Sequence, residues 1–227
     1  MAVEPSADPA QPGLRERKKQ RTRELIAETA RRLFAERGFG HVTVAEIART
    51  ADVSEATVFN YFPTKEDLVY WRLGSFEEEL LSAIRDRGPG EPALAAFRRF
   101  LLAQRGMLAD HDPEETERLA DLTRMITESP ALLAREQQIF ERYTASLAAL
   151  LAEQTRAAAD DLGPWVAANA MMGIHRALVH YTRGQVVAGV RNPRLARDVR
   201  AHAEQAFALL ERGLGAYGAG APPPDQT

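Results

Sequence analysis

Three times beyond residue 100 the chain sets a capping side chain directly before a proline: Asp112-Pro113, Ser129-Pro130 and Asn192-Pro193. Proline's fixed φ suits the first turn of a helix, where its missing N–H is not needed, and the residue before it can accept from the free amides of that turn. Each pair therefore marks a helix start, and Gly163-Pro164 is a weaker version of the same device. Between these marks apolar residues recur at intervals of three and four, which is the helical period. The punctuation predicts helices over about 91–109, 113–127, 130–157, 164–184 and 194–213. The β-branched runs at Val42 to Val44 and Val186 to Val190 are too short and too closely flanked by glycine to argue for a sheet, so the chain reads as all-α.

The first third follows the same grammar. Leu25, Ile26, Thr29, Ala30, Leu33 and Phe34 form one face of a helix from about Arg15 to Arg37, stopped at Gly38. Thr43 with Glu46 three residues on is a capping box for a second helix, ending near Ala51. Ser54 caps a third through about Tyr61, and Thr64 with Asp67 starts a fourth that should run unbroken to Gly88-Pro89-Gly90. That makes nine helices. Ile47, Ala51, Val53 and Val58 are spaced to let two short helices pack across a tight turn, with Ala48 small enough for close approach: a helix-turn-helix. Asp52 occupies the turn where glycine would be easiest, and aspartate tolerates the left-handed conformation better than most side chains.

The formal net charge of -3 hides a local excess of the opposite sign. From Arg15 to Arg23, RERKKQRTR carries six basic residues and one acid, a candidate phosphate-facing patch. Downstream, Ser54, Glu55, Thr57 and Asn60 give the third helix a polar face short enough to enter a major groove about 12 Å wide. Other chemistries find little support. With no cysteine there is no thiol nucleophile, thiolate metal site or disulfide framework. G-x-S-x-G, G-x-x-x-x-G-K, H-E-x-x-H and G-x-G-x-x-G are all missing, so an enzyme is disfavoured and no cofactor is expected. Asp110-His111-Asp112 with Glu114 and Glu115 is the best metal candidate, but Asp112 is already accounted for as a cap and the rest as turn residues, so no metal is expected. No run reaches the roughly 18 to 20 apolar residues of a membrane span, and the first residues lack the apolar core of a secretory signal, which predicts a cytoplasmic protein.

The run ending at Leu68, GFGHVTVAEIARTADVSEATVFNYFPTKEDL, closely resembles the signature of TetR-type transcriptional regulators: a glycine-aromatic lead, T-V-x-x-I-A, V-S-x-x-T, then Y-F-x-x-K-E-x-L. With the basic helix before it the resemblance covers about residues 15–68, and it implies a nine-helix TetR-like architecture. Two positions depart from the pattern: Asp52 replaces the usual glycine, and Phe59 stands where the family generally has tyrosine. Carried over residue by residue, the resemblance implies that Thr43 and Thr57 donate hydroxyls to phosphates, Tyr61 and Lys65 clamp the DNA backbone, and Lys18, Lys19 and Arg21 add charge. Ser54 caps the reading helix, and base edges would meet Glu55, Ala56, Phe59 and Asn60. Glutamate can accept from a cytosine amino group, asparagine can pair with adenine, and alanine and phenylalanine can pack on thymine methyls.

The expected domains are a helix-turn-helix unit over 14–62 and a helical ligand-binding and dimerisation unit over 63–214, between tails at 1–13 and 215–227 whose composition reads as disordered. The last two long helices are apolar on two sides, and in this family they resemble halves of an intersubunit four-helix bundle. Trp165, Val179, Val199, Phe207, Leu210 and Leu214 are the expected interface of a homodimer, whose reading helices about 34 Å apart would suit the half-sites of a palindromic operator. Phe97, Phe100, Leu101, Met107, Met125 and Phe140 bring large or soft side chains to the centre of the larger unit, as do Tyr143, Met171, Met172 and His175. Arg124 and Arg176 follow apolar positions, and either is a candidate anchor for an anionic ligand group or else a partner in a surface salt bridge. The expectation is thus a repressor released from double-stranded DNA by a bulky apolar effector, with WVAANAMMGIHRALVHYTRG resembling a subgroup proposed to take acyl-CoA-like ligands. A regulator gated by a protein partner is the alternative, and it differs in lacking an internal cavity.

Overall fold

A computed structural model describes residues 14–103, 113–190 and 194–213. These form nine α-helices and no strand: α1 (Leu14–Arg37), α2 (Val44–Thr50), α3 (Glu55–Tyr61), α4 (Phe76–Arg85), α5 (Ala93–Ala103), α6 (Pro113–Glu128), α7 (Pro130–Thr155), α8 (Gly163–Val187) and α9 (Arg194–Arg212). Short 3-10 turns lie at Phe39–His41, Glu66–Leu68 and Trp71–Gly74. Among the described residues no helix is long and apolar enough to cross a membrane.

The chain divides into two compact units between Leu73 and Gly74. In the first, α1 buries Ile26, Ala27, Ala30 and Phe34 in a core with Phe39, Ile47, Val58, Phe62, Leu68 and Tyr70. This division lies beyond the boundary expected after residue 62, because α1 packs against the Glu66–Leu68 turn and so holds that segment in the first unit. The fourth helix also departs from expectation. Instead of one helix from Thr64 there are two 3-10 turns, and α4 begins only at Phe76. Leu68 and Tyr70 are both buried although two residues apart, and a continuous α-helix would turn them roughly 200° from one another. Thr64 and Asp67 still cap the segment: the Thr64 N–H and hydroxyl donate to Asp67 Oδ2 at 3.0 and 2.9 Å.

In the second unit α7 and α8 pack along one another, and α8 also meets α6 and α9. Leu80, Ile84, Phe97, Leu132, Leu147, Met172 and Phe207 are fully enclosed. Polar ties fix the register of the helices. Arg183 on α8 binds the Glu136 carboxylate on α7 through both terminal nitrogens, and Glu77 on α4 accepts from Arg142 Nε (2.8 Å) and Ser146 Oγ (2.6 Å) on α7. Ser129 caps α7 by accepting from the Leu132 N–H, and Arg156 ends it with a left-handed φ of 53°. The α8 helix runs past its expected end at residue 184 because Val186 joins a buried cluster with Leu119, Ala120 and Leu195.

Candidate functional site

The helix-turn-helix is built from local bonds that the sequence dictates. At its entry the Thr43 hydroxyl accepts from the Glu46 N–H (3.2 Å), while Glu46 Oε2 accepts from the Thr43 N–H (2.9 Å) and hydroxyl (3.0 Å). The other carboxylate oxygen accepts from Arg37 Nη1 at 2.9 Å, tying α2 to the end of α1. The bond from the Thr43 amide, then those from Arg37 and the Thr43 hydroxyl, pull the Glu46 carboxyl down to about 2. Asp52 takes the turn with φ 54°, the left-handed conformation anticipated for it, and the Val53 N–H donates back to the Ala48 carbonyl at 2.9 Å. Ser54 Oγ then accepts from the Thr57 N–H at 3.1 Å and shares a 2.8 Å bond with the Thr57 hydroxyl, starting α3.

On α3, Val58 faces the core, while Glu55, Ala56, Phe59 and Asn60 face water. Phe59 is 46% exposed, so it is not a core residue but an aromatic ring offered to solvent. Beside it lies an open groove of about 480 Å³, lined by Arg15, Lys18, Lys19 and Thr22 of α1 and Thr57, Asn60 and Tyr61 of α3. The basic patch and the polar face of α3 therefore share one surface, which can hold phosphates at one wall and meet base edges at the other. Arg15 was anticipated only as part of the basic run, and Thr22 was not anticipated. They stand at the three- and four-residue spacing that puts them on the face of Lys18 and Lys19, and this was the available signal. Arg21 is exposed but does not line the groove.

Two cations of this unit turn inward. The Arg23 guanidinium lies 5.6 Å from the Phe62 ring centroid, with Nε buried and without a hydrogen-bond partner. Lys65, expected at the DNA backbone, is half-buried, and its Nζ donates to the Phe39 carbonyl at 2.5 Å. The Thr43 and Thr57 hydroxyls, expected to donate to phosphates, make the capping bonds just described.

Comparison with known proteins decides the family. The description "Bacterial regulatory proteins, tetR family" matches residues 26–70, and "MftR C-terminal domain" matches residues 91–215, more than half of the chain. The chain belongs to the TetR family. The HTH-type transcriptional regulator TcmR of Streptomyces glaucescens is 31% identical over 155 residues, 67% of this chain and 69% of TcmR. MftR of Mycobacterium tuberculosis is 27% identical over 179 residues, 75% of this chain and 85% of MftR. Among solved structures, native NalD of Pseudomonas aeruginosa, the secondary repressor of the MexAB-OprM multidrug efflux pump, shares the fold at TM-score 0.52 and 23% identity, over 84% of this chain and 96% of NalD. This TetR-family chain is thus a DNA-binding transcriptional regulator and not an enzyme.

The larger unit of this TetR-family regulator gathers most of the anticipated pocket residues, but packs them on each other. Phe76 stacks on Tyr143 (5.3 Å) and His175 (4.8 Å) and meets Phe100 edge-on, and Phe140 sets its edge against Tyr143 and His175. Phe76 was not anticipated, because it was placed on a long linking helix with no reason to face the centre. Although His175 keeps some accessible surface, its ring is enclosed by these aromatics. Burial, helped by the charge of Arg176, lowers its pKa to about 4, so the imidazole is neutral near pH 7. Met171 and Met172 are buried, while Leu101 and Met125 are half-buried. Arg124 corrects the reading: it points to solvent and pairs with Asp121 on its own helix at 3.0 Å, because its position falls on the outer face of α6. Met107 and Leu214 lie outside the described residues, as does Asp110-His111-Asp112.

The expected dimer residues divide. Trp165 is 49% exposed on α8, beside the exposed Val166 and Leu162, and Val187 is exposed at the far end. Val179 and Leu210 are half-buried. Phe207 is instead wholly buried within its own chain, with its ring edge-on to Phe97 at 6.0 Å, because the apolar face of α9 closes over α5. Val199 packs on the Leu119, Val186 and Leu195 cluster.

Proposed function

We propose that this chain is a homodimeric repressor that acts in the cytoplasm on a palindromic operator and is released when a bulky, mainly apolar ligand enters the larger unit. The single observation that carries the DNA half is the groove in which Arg15, Lys18 and Lys19 face Thr57, Asn60 and Tyr61. Cations there neutralise phosphates, and the exposed Glu55, Ala56, Phe59 and Asn60 read bases. Dimerisation is favoured by the outer face of α8, where Trp165, Val166 and Val187 are exposed and nothing lies within 4 Å of a side chain added at Gly173 or Gly184. A helix face with small residues and exposed apolar ones lets a second helix approach closely.

The ligand half rests on the cluster of Phe76, Phe100, Phe140, Tyr143 and His175. The rings supply an apolar, polarizable site, and neutral His175 supplies one donor or acceptor. Because the rings already touch, a ligand must displace at least one, and that displacement is what couples binding to a change of conformer. For a hundredfold loss of DNA affinity the ligand must favour the released conformer by about 2.7 kcal/mol. The test is a selection from randomised duplexes with the full chain, sedimentation with and without the recovered duplex, then titration of aromatic and acyl compounds against the complex. A palindrome, a dimer and displacement by an apolar compound are the expected results. A monomer on a non-repeated site refutes the dimer. Displacement by no compound tried, with a cellular protein displacing the duplex instead, favours the partner-gated regulator.

A further inference from the structure

Between α7 and α8 lies an open groove of about 550 Å³, whose charged lining is Glu141 and Arg142 on α7 and Arg176 on α8, with Trp165 and Asn169 beside the last. On α8, Trp165, Asn169 and Arg176 form one stripe, turned roughly 70° from that of Val166, Gly173 and Gly184. The groove therefore opens to one side of the face offered to a second copy. Its three charges are not alike. Arg142 Nε donates to Glu77 Oε2 of α4 at 2.8 Å, and Glu141 accepts from Gln137 Nε2 on its own helix at 3.0 Å. Arg176 is exposed and meets no carboxylate among the described residues, and its guanidinium lies 5.3 Å from the Phe140 ring centroid. Phe140 in turn sets its edge against Tyr143 and His175, and it is half-buried where Phe76, Phe100 and Tyr143 are buried. Arg176 thus stands between the groove and the aromatic cluster, over a ring still open to solvent.

We propose that this groove binds the carboxylate of a compact aromatic monoacid, with Arg176 as its anchor. The proposal deepens the ligand half of the function proposed above and rests on it for DNA release, though not for binding. A guanidinium over a ring engages the ring with its charge and keeps its N–H donors, whose fork matches the two oxygens of a carboxylate. Asn169 Nδ2 gives one hydrogen to the Trp165 carbonyl at 2.8 Å and has a second to donate. Trp165 is 49% exposed, and its indole together with the Phe140 ring offers apolar surface to a planar body. The charge balance sets the class. One unpaired cation beside the Glu141 carboxylate suits a single negative charge and disfavours a ligand that carries several, such as a nucleotide-linked acyl thioester. The volume suits a few fused rings. With its carboxylate on Arg176 the acid meets Phe140, a member of the cluster whose displacement the release step requires.

The probes are benzoate, 2-naphthoate and anthracene-9-carboxylate, each with its uncharged arylmethanol counterpart, and octanoyl coenzyme A as a polyanion, titrated by calorimetry into the full chain near pH 7. At least one acid binds, and its alcohol binds about tenfold or more weakly, the loss of a charge-assisted hydrogen bond. The thioester binds more weakly than that acid. Arg176→Gln weakens the acid about tenfold or more and leaves the alcohol unchanged. Arg124→Gln, at an exposed arginine paired on its own helix, leaves both unchanged. The chain has two tryptophans, Trp71 and Trp165, so the Trp165 indole N–H resonance is assigned with Trp165→Phe, and in the wild type it shifts on adding the acid. No binding by any of the three acids at millimolar concentration overturns the proposal. So does equal affinity for acid and alcohol, an unchanged affinity in Arg176→Gln, tighter binding of the thioester, or an unmoved Trp165 resonance. An acid that binds through Arg176 without displacing the recovered duplex refutes the release step alone. An uncharged compound that displaces the duplex equally from wild type and Arg176→Gln, with no acid bound, supports the ligand switch and refutes this site.

Discussion

Replacing Phe207 by alanine separates two roles for α9 that its sequence pattern does not distinguish. The ring is fully buried in its own chain and meets Phe97 edge-on at 6.0 Å, so the substitution opens a cavity against α5 and removes an aromatic pair. Truncating a buried phenylalanine costs about 3 to 5 kcal/mol, and the pair itself accounts for about 0.5 to 1.5 kcal/mol of such a loss. For a domain of roughly 150 residues, about 4 kcal/mol lowers the melting temperature by about 8 to 16 °C. Scanning calorimetry on wild type and Phe207→Ala over a hundredfold range of protein concentration reads this directly. An intrachain role predicts that the gap between the two melting temperatures is the same at every concentration. An interface role predicts a gap that widens as concentration rises, because the wild type gains dimer stabilisation at concentrations where the weakened variant is still monomeric. A gap that widens with concentration, or a loss below about 1 kcal/mol, refutes the placement of Phe207 in the core.

Three further expectations follow from individual residues. The unfolded chain protonates His175 near its ordinary value while the folded ring resists until about 4, so stability falls as pH drops through that window and levels below it, by about 3 kcal/mol in all. Urea melts at pH 7, 5.5 and 4 should show His175→Phe losing less stability than wild type over this range. Asp52→Gly should raise the stability of the helix-turn-helix unit by about 1 kcal/mol in thermal melts, because glycine adopts the φ of 54° without the steric cost. Glu46 is held to about 2, so the stability it contributes is present above the ordinary carboxylate pKa and lost as pH falls toward 2. Glu46→Gln should therefore melt earlier than wild type at pH 7 and together with it near pH 2.

The capping bonds of Thr43, Ser54 and Ser129 were legible because each involves residues three apart, and the left-handed Asp52 was legible from the turn that surrounds it. The motif ending at Leu68 carried the family in the same way, since it records local turn chemistry together with the polar face of α3. What escaped depends on packing at a distance. The break before α4 comes from burying both Leu68 and Tyr70 against elements earlier in the chain, which no window around Thr64 reveals. Phe207 and Arg124 sit on helices whose pattern identifies an apolar face without saying what covers it. The bond from Lys65 Nζ escaped for the same reason, since the Phe39 carbonyl that accepts it lies 26 residues away.

The central claim is that the exposed face of α3 reads bases while the adjacent groove holds the backbone. It is tested most directly by measuring Asn60→Ala and wild type against every single-base variant of the recovered operator. The account predicts that the variant loses about 1 to 3 kcal/mol of discrimination at one position in each half-site and keeps the wild-type salt slope. Uniform weakening across all the duplexes, or unchanged preference at every position, would contradict it.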